Sequence, residues 1–275
     1  MDALDILRLV ATTISPVVLA FLFHLVIRKS KHWCKINYWV QQLLISIFFA
    51  LLALCAFYFG VKFKPVTETE VQIYGTFGSA TAIPAIAGLI FGWPAGLMSG
   101  LLSALIRLLI NPFGVGDYLR TAECISVFLS GAIAALLRRG LFDNKKPKWG
   151  YGIIIGLLVE TVHMVCIFVL GLAQRDVNFA YAVIQQCDIP CAIVVTVAIV
   201  LSLLSISLFE REKIYNGFKR NAKIAAKVQR WMVISFVVAM AGASLLTYLA
   251  CATNSSVETH QILQNSARDV VYELE

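Results

Sequence analysis

Eight stretches of the chain are almost wholly apolar, and the polar residues collect between them. The apolar stretches run over residues 6–27, 38–61, 73–92, 94–112, 118–137, 150–173, 187–209 and 231–252. A helix needs about 17 to 25 predominantly apolar residues to cross a bilayer. The pattern therefore predicts an all-α protein, a polytopic transmembrane helix bundle of about eight spans.

Composition and charge placement support a membrane protein and predict its orientation. Only 14% of the residues are charged, whereas soluble domains average about 25%. Sixteen of the 23 lysines and arginines lie in three segments, 28–35, 138–148 and 211–230. Because such residues stay on the cytoplasmic side, both termini are predicted to lie outside. The net charge of +7 thus indicates topology and contact with the lipid bilayer, and gives no support for a nucleic-acid partner.

The character of the spans predicts four regions. Residues 1–70 form two transmembrane helices with few polar groups, and residues 71–209 carry the glycines, prolines and ionisable groups of a functional core. Residues 210–230 form a basic cytoplasmic linker. Residues 231–275 comprise the eighth span and the start of an extracytoplasmic helix. That helix stops without a cap signal, so we expect a truncated chain.

Small residues and ionisable residues share helix faces. On the fourth span Gly96, Gly100 and Ala104 form one stripe with Arg107. On the sixth span Gly156 lies in line with Glu160 and His163, which are three residues apart and therefore neighbours. Small residues at such spacing let helices approach closely. Gly96, Gly100, Ala104 and Gly156 are therefore predicted helix-packing positions.

The ionisable groups within the spans predict a polar cavity that opens to the outside. Charges inside a bilayer are costly and usually mark functional sites. The predicted ligand-binding residues are Arg107, Glu123, Glu160, His163 and Arg120, and the predicted rim residues are Asn111, Gly114, Gly116 and Asp188. An arginine with loop amides suits a small carboxylate or another anion. The nearby acids would instead favour a cation or a proton, and pairing that only holds the helices together is a further alternative.

Other chemistry finds little support in the residues. The seven cysteines include no C-x-x-C pair, so neither a disulfide framework nor a metal site is expected. No phosphate-binding loop or kinase signature is present, and we expect no cofactor, no catalytic residue and no enzymatic activity from this chain alone. The rival interpretation is a small-solute transporter or a substrate-binding membrane subunit, which also places a polar site among small-residue helices.

Several motifs in residues 71–209 resemble one known family. The run FGSATAIPAIAGLIFGWPAGLMSGLLSALIRLL, the later run CISVFLSGAIAALLRR and the Glu-x-x-His-Met motif in GLLVETVHM are similar to the transmembrane sensor of LytS/YhcK-type five-transmembrane receptors. The resemblance implies a multi-pass receptor of the bacterial plasma membrane that detects a small extracellular ligand and signals to a cytoplasmic output domain.

The resemblance also implies details of output and ligand. Outputs in this family include histidine kinases of two-component phosphorelays, diguanylate cyclases and SpoIIE-type phosphatases, and the LytS members are linked to cell-wall organisation. Some members respond to pyruvate, and Arg107 aligns with an arginine implicated in ligand recognition. The family's Asn/Asp-x-Arg is here Gly78-Ser79-Ala80, so we hypothesise a divergent ligand with Arg120 in place of that arginine. A homodimer is a further open prediction.

Overall fold

The computed structural model describes residues 3–30, 33–63, 75–110, 117–173, 177–210 and 231–232. Its elements are α1 (Ala3–Lys29), α2 (Tyr38–Tyr58), β1 (Val61–Phe63), β2 (Gly75–Phe77), α3 (Ala82–Ile90), α4 (Trp93–Leu109), α5 (Asp117–Leu136), α6 (Tyr151–Ala173) and α7 (Val177–Phe209). Two short helical turns, Trp33–Lys35 and Leu137–Leu141, follow α1 and α5. The chain divides into two compact units, Met1–Arg220 and Asn221–Glu275. All the elements named here belong to the first.

Five helices in the described part are long and apolar enough to cross a membrane. They cover Asp5–Lys29, Tyr38–Tyr58, Leu119–Leu141, Tyr151–Leu170 and Ile189–Phe209. The helical, membrane-spanning character predicted from the sequence is therefore confirmed, whereas the count of about eight spans is not supported. The fourth predicted span is the shorter apolar helix Trp93–Leu109, and all but the first two residues of the eighth lie outside the described residues.

The third predicted span, residues 73–92, was wrong as a continuous helix. Its first part contains β2, which pairs antiparallel with β1 in the register Val61 to Phe77, a pair of three-residue strands in an otherwise helical fold. Only the nine residues of α3 are helical, a length of about 14 Å, or half of the bilayer core. Pro84 gives the physical reason. It fits the first turn of α3, but it would remove a hydrogen bond from the interior of a longer helix.

The helices form a bundle in which α4 contacts α2, α3 and α5. Helix α6 packs between α5 and α7, and α1 packs against α7. The turn before α3 is anchored within this bundle, because the Ser79 hydroxyl donates a hydrogen bond to the carbonyl of Thr12 in α1. The short α3 thus begins inside the bundle, beside the ends of α2 and α4, where the ionisable residues are found.

Glycines set the closest approach between helices. A Cβ atom on Gly96 of α4 would lie 2.5 Å from the Cα of Gly88 in α3. One turn further along the same stripe of α4, a Cβ atom on Gly100 would lie 3.0 Å from the carbonyl oxygen of Val127 in α5. These distances leave no room for a side chain, so backbones touch across three helices. The packing fixes how far the end of α4 reaches toward α5.

Basic residues hold the opposite end of the bundle together. Arg138, in the turn after α5, donates hydrogen bonds to the last carbonyls of α3, at 3.3 Å for Gly88 and 2.7 Å for Leu89. At the end of α7, Glu210 accepts a hydrogen bond from Lys146 Nζ at 2.7 Å and lies 3.5 Å from both Arg28 and His24 of α1. We call these last four residues the Glu210 cluster. It joins α1, α7 and the segment before α6.

Candidate functional site

A small cavity lies among five helices and the turn that precedes α3. Its volume is about 20 Å³, which is room for a single water molecule. The described lining residues are Ala56, Phe57, Gly60, Gly78, Ala80, Thr81, Arg107, Glu123, Val127, His163 and Cys191. They come from α2, α4, α5, α6 and α7, from Gly60 before β1, and from the chain between β2 and α3. We refer to this space as the polar cavity.

A buried ion pair forms one wall of the polar cavity. Arg107 lies in the last turn of α4 and Glu123 in the second turn of α5, and their side chains form a salt bridge. Both residues are buried, with relative exposures of 6% and 5%. The guanidinium carbon of Arg107 also lies 3.1 Å from the ring centroid of Phe57 in α2. Arg107 is therefore held by a carboxylate and by an aromatic face, which attracts cations through its quadrupole.

A second acid and a histidine stand together on α6. The Nδ1 atom of His163 lies 3.0 Å from Oε1 of Glu160, within hydrogen-bond distance. An ionised carboxylate only accepts hydrogen bonds, so Nδ1 then carries the proton and Nε2 remains for another partner. Glu160 is 1% exposed, and a pair three residues apart on a helix faces one direction. The pair therefore presents the imidazole of His163 to the polar cavity.

Two side chains of the cavity wall outside the ion pair have unused hydrogen-bonding capacity. Within the described part of the chain, neither Nε2 of His163 nor the hydroxyl of Thr81 has a hydrogen-bond partner. Buried polar groups of native proteins are almost always paired with protein or ordered water. The two groups come from different sides of one space that can hold a water molecule. They can accordingly receive a polar ligand or a bridging water.

Close helix packing positions His163. A Cβ atom on Gly156, below Glu160 and His163 on α6, would lie 2.6 Å from the Cα of Thr196 in α7. Glycine at this position lets the two backbones approach within a distance that any side chain would prevent. This contact fixes α6 against α7 on the helix face that carries Glu160 and His163, so both side chains lie in the interior of the bundle.

The structure brings together some of the predicted site residues. Arg107, Glu123 and His163 line the polar cavity, and Glu160 adjoins it through its contact with His163. Arg120 is half-buried on α5 and is not among the described lining residues. The predicted rim residues Asn111, Gly114 and Gly116 lie outside the described residues, as does the side chain of Asp188. A ligand-binding role for any of these residues stays a prediction.

Sequence reasoning missed several residues of the cavity wall. Phe57 lies in a predicted span with few polar residues, and nothing in its spacing distinguishes it from the other phenylalanines. Ala80 could have been predicted as a wall residue, because the segment Gly78-Ser79-Ala80 stands where the resemblance predicts Asn/Asp-x-Arg. Thr81 follows it directly. The structure places Ala80 in the wall beside Arg107. The position at which the resemblance predicts a second arginine therefore faces the same cavity.

The described residues offer no metal centre. Among them, no group of three or more histidine, cysteine, aspartate or glutamate residues is arranged to hold a metal ion. The described side chains at the cavity provide one guanidinium, two carboxyl groups, an imidazole, a hydroxyl and the thiol of Cys191. Such a set suits hydrogen bonding and ion pairing with a small polar solute.

Comparison with known families gives one match. The model of the family described as 5TMR of 5TMR-LYT, a five-transmembrane-receptor region, matches residues 20–208. Neither the curated proteins nor the solved structures include a match to the chain. Together with the five apolar helices, the family match indicates a multi-pass integral membrane protein of the plasma membrane. It also confirms the resemblance to the LytS type and extends it to cover α2 and the end of α1.

Proposed function

Because this chain belongs to the family of LytS-type five-transmembrane receptors, we propose that it senses a small extracellular anion for a signal-transduction system. The observation that carries the proposal is the buried Arg107–Glu123 pair beside His163 at one cavity. A charge pair taken out of water gives little net stability compared with apolar packing. The pair lies beside two polar groups without hydrogen-bond partners, the Nε2 atom of His163 and the hydroxyl of Thr81. This arrangement favours a role of the pair in ligand recognition over a role in stability alone.

Ligand binding in this proposal is an exchange of partners at Arg107. The incoming anion takes the place of the Glu123 carboxylate on the guanidinium, and Nε2 of His163 and the hydroxyl of Thr81 provide further hydrogen bonds. The cavity holds only about one water molecule in the present state. Binding therefore requires α4 and α5 to shift or Phe57 to turn. That movement is the proposed signal.

Ala80 narrows the class of ligand. A second arginine at this position would allow two cations to grip a dicarboxylate or an oxoacid from both sides. The alanine leaves Arg107 as the cation of the described cavity wall. We accordingly propose a monoanion that makes one charge-assisted contact. Arg120, which is not among the described lining residues, is not part of this proposal.

The basic end of the bundle provides the proposed route to the output. Arg28, Arg138 and Lys146 lie at one end of the helices, and positive residues favour the cytoplasmic side. We propose that both termini lie outside and that residues 231–252 add a last span. A shift of α7 then reaches the basic segment 211–230. In this proposal the output domain is a histidine kinase, a diguanylate cyclase or a phosphatase. As in the LytS members of the family, the signal acts on cell-wall organisation.

Ligand-induced thermal stabilisation tests the proposal. The purified chain in lipid nanodiscs is heated with a panel of monocarboxylates that includes acetate, lactate and pyruvate. We expect at least one of them to raise the unfolding temperature of the wild type and to leave Arg107→Gln unchanged. Arg139→Gln is the matched control, because Arg139 lies outside the cavity, over the ring of Trp93. It should respond as the wild type does.

Two outcomes would contradict the proposal. Equal stabilisation of Arg107→Gln and the wild type would remove Arg107 from the site. Net uptake of a bound monocarboxylate into sealed liposomes that contain the chain would instead identify a transporter, since a receptor moves no solute across the membrane.

A further inference from the structure

A second cavity adjoins the polar cavity on the surface of the bundle. It lies between the ends of α2 and α4 and has a volume of about 310 Å³. Its walls are mostly apolar and aromatic, and Tyr58, Phe59 and Ile110 are more than half exposed. We call it the apolar crevice. These exposed residues place the opening of the crevice on the outer surface of the bundle.

Two residues line both spaces. Phe57 and Arg107 belong to the wall of the polar cavity and to the wall of the apolar crevice. Arg107 is also the one charged residue among the described residues that line the crevice. The ring of Phe57 lies against the guanidinium at 3.1 Å. A single aromatic side chain therefore covers one face of a buried cation at the junction of the two spaces.

The volumes of the two spaces limit the size of the ligand that each can hold. The polar cavity is too small for a carboxylate with any carbon chain, since it holds one water molecule. The apolar crevice lies at the lower limit of about 300 to 1,000 Å³ that is usual for small-molecule sites. Such sites combine apolar walls with a few polar groups that fix orientation. The two spaces together, joined at Arg107, have this composition.

We propose that the ligand is an amphiphilic monocarboxylate, with its single short chain in the apolar crevice and its carboxylate on Arg107. This inference rests on the proposed function, and it names the class of anion which that site selects. Rotation of Phe57 away from the guanidinium opens the path between the two spaces. The volume of the crevice favours a free single-chain acid over a phospholipid with two long chains.

A chain-length series tests the inference. Acetate, butyrate, hexanoate and octanoate are titrated against the full chain in nanodiscs, and dissociation constants are obtained from tryptophan fluorescence. Transfer of a methylene from water to an apolar site strengthens binding about fourfold. We expect the dissociation constant to fall by about this factor for each added methylene until the crevice is full. The matching alcohols, which lack the charge, should bind far more weakly.

A variant that fills the crevice distinguishes binding in the crevice from partitioning of the acids into the surrounding lipid. Ile106→Trp places a large ring in the crevice wall, so it should abolish the gain in affinity with chain length. Ile153→Trp is the control, because Ile153 is an exposed residue of α6, outside the crevice. It should behave as the wild type does. Far-UV circular dichroism verifies that both variants remain folded.

The possible results distinguish this inference from the proposed function. Binding of acetate without any gain for longer chains would overturn the amphiphilic ligand and leave the anion site standing. An unchanged chain-length series in Ile106→Trp, or alcohols that bind as well as the acids, would also overturn the inference. Failure of every carboxylate to bind would contradict the proposed function as well.

Discussion

Replacement of Glu123 with glutamine isolates the charge of the buried pair, because the two side chains have nearly the same shape. The variant leaves the guanidinium of Arg107, 6% exposed, without its carboxylate. Removal of one partner from a buried pair costs about 3 to 5 kcal/mol. The face of Phe57 remains against the cation and is worth about 2 kcal/mol in a desolvated setting. We therefore expect the free energy of unfolding to fall by about 3 kcal/mol, the lower end of this range.

Reversible unfolding in mixed micelles measures this change, with sodium dodecyl sulfate as denaturant and circular dichroism as the signal. The double variant Arg107→Gln/Glu123→Gln completes a cycle with the two single variants. Because it removes both charges, it should lose about 1 to 3 kcal/mol less than the sum of the single losses. Losses that add within about 0.5 kcal/mol would show that the two residues are energetically independent. The exchange of partners at Arg107 would then lack its physical basis.

Two further variants probe the packing and the basic end by the same unfolding measurement. Gly156→Ala brings a Cβ atom to 2.6 Å from the Cα of Thr196 and should destabilise the protein by about 1 to 3 kcal/mol; Gly78→Ala, whose nearest contact is 3.6 Å, should be tolerated. Glu210→Gln removes the partner of Lys146 and should lose about 0.5 to 1 kcal/mol, and this loss should shrink as salt is added. Equal effects of the two glycine variants, or a loss insensitive to salt, would contradict these contacts.

Local spacing predicted the parts of the site that depend on one helix or one short connection. Glu160 and His163 are neighbours because three residues on a helix nearly complete a turn. Arg107 and Glu123 flank the same connection between α4 and α5, so their encounter follows from antiparallel helices. In both cases the distance along the chain limits where the side chains can be.

Contacts between segments far apart in the chain could not be predicted from the sequence. Phe57 meets Arg107 only because α2 packs against α4, and no period in either helix specifies that pairing. The interruption of the third span had a local cause, Pro84, but a hydropathy average over residues 73–92 conceals it. Apolar content alone measures how much of a segment can be buried, and it does not measure whether the backbone can remain helical.

The position of His163 near the middle of α6, Tyr151–Ala173, has a consequence for the electrical behaviour of the site. An anion that reaches it from the side opposite the basic end crosses about half of the membrane. A full crossing is worth about 2.3 kcal/mol per charge at 100 mV. Half of that is about 1.2 kcal/mol, or roughly sevenfold in affinity. With the cell interior negative, an energised membrane would thus weaken anion binding, and the receptor would report the membrane voltage together with the solute.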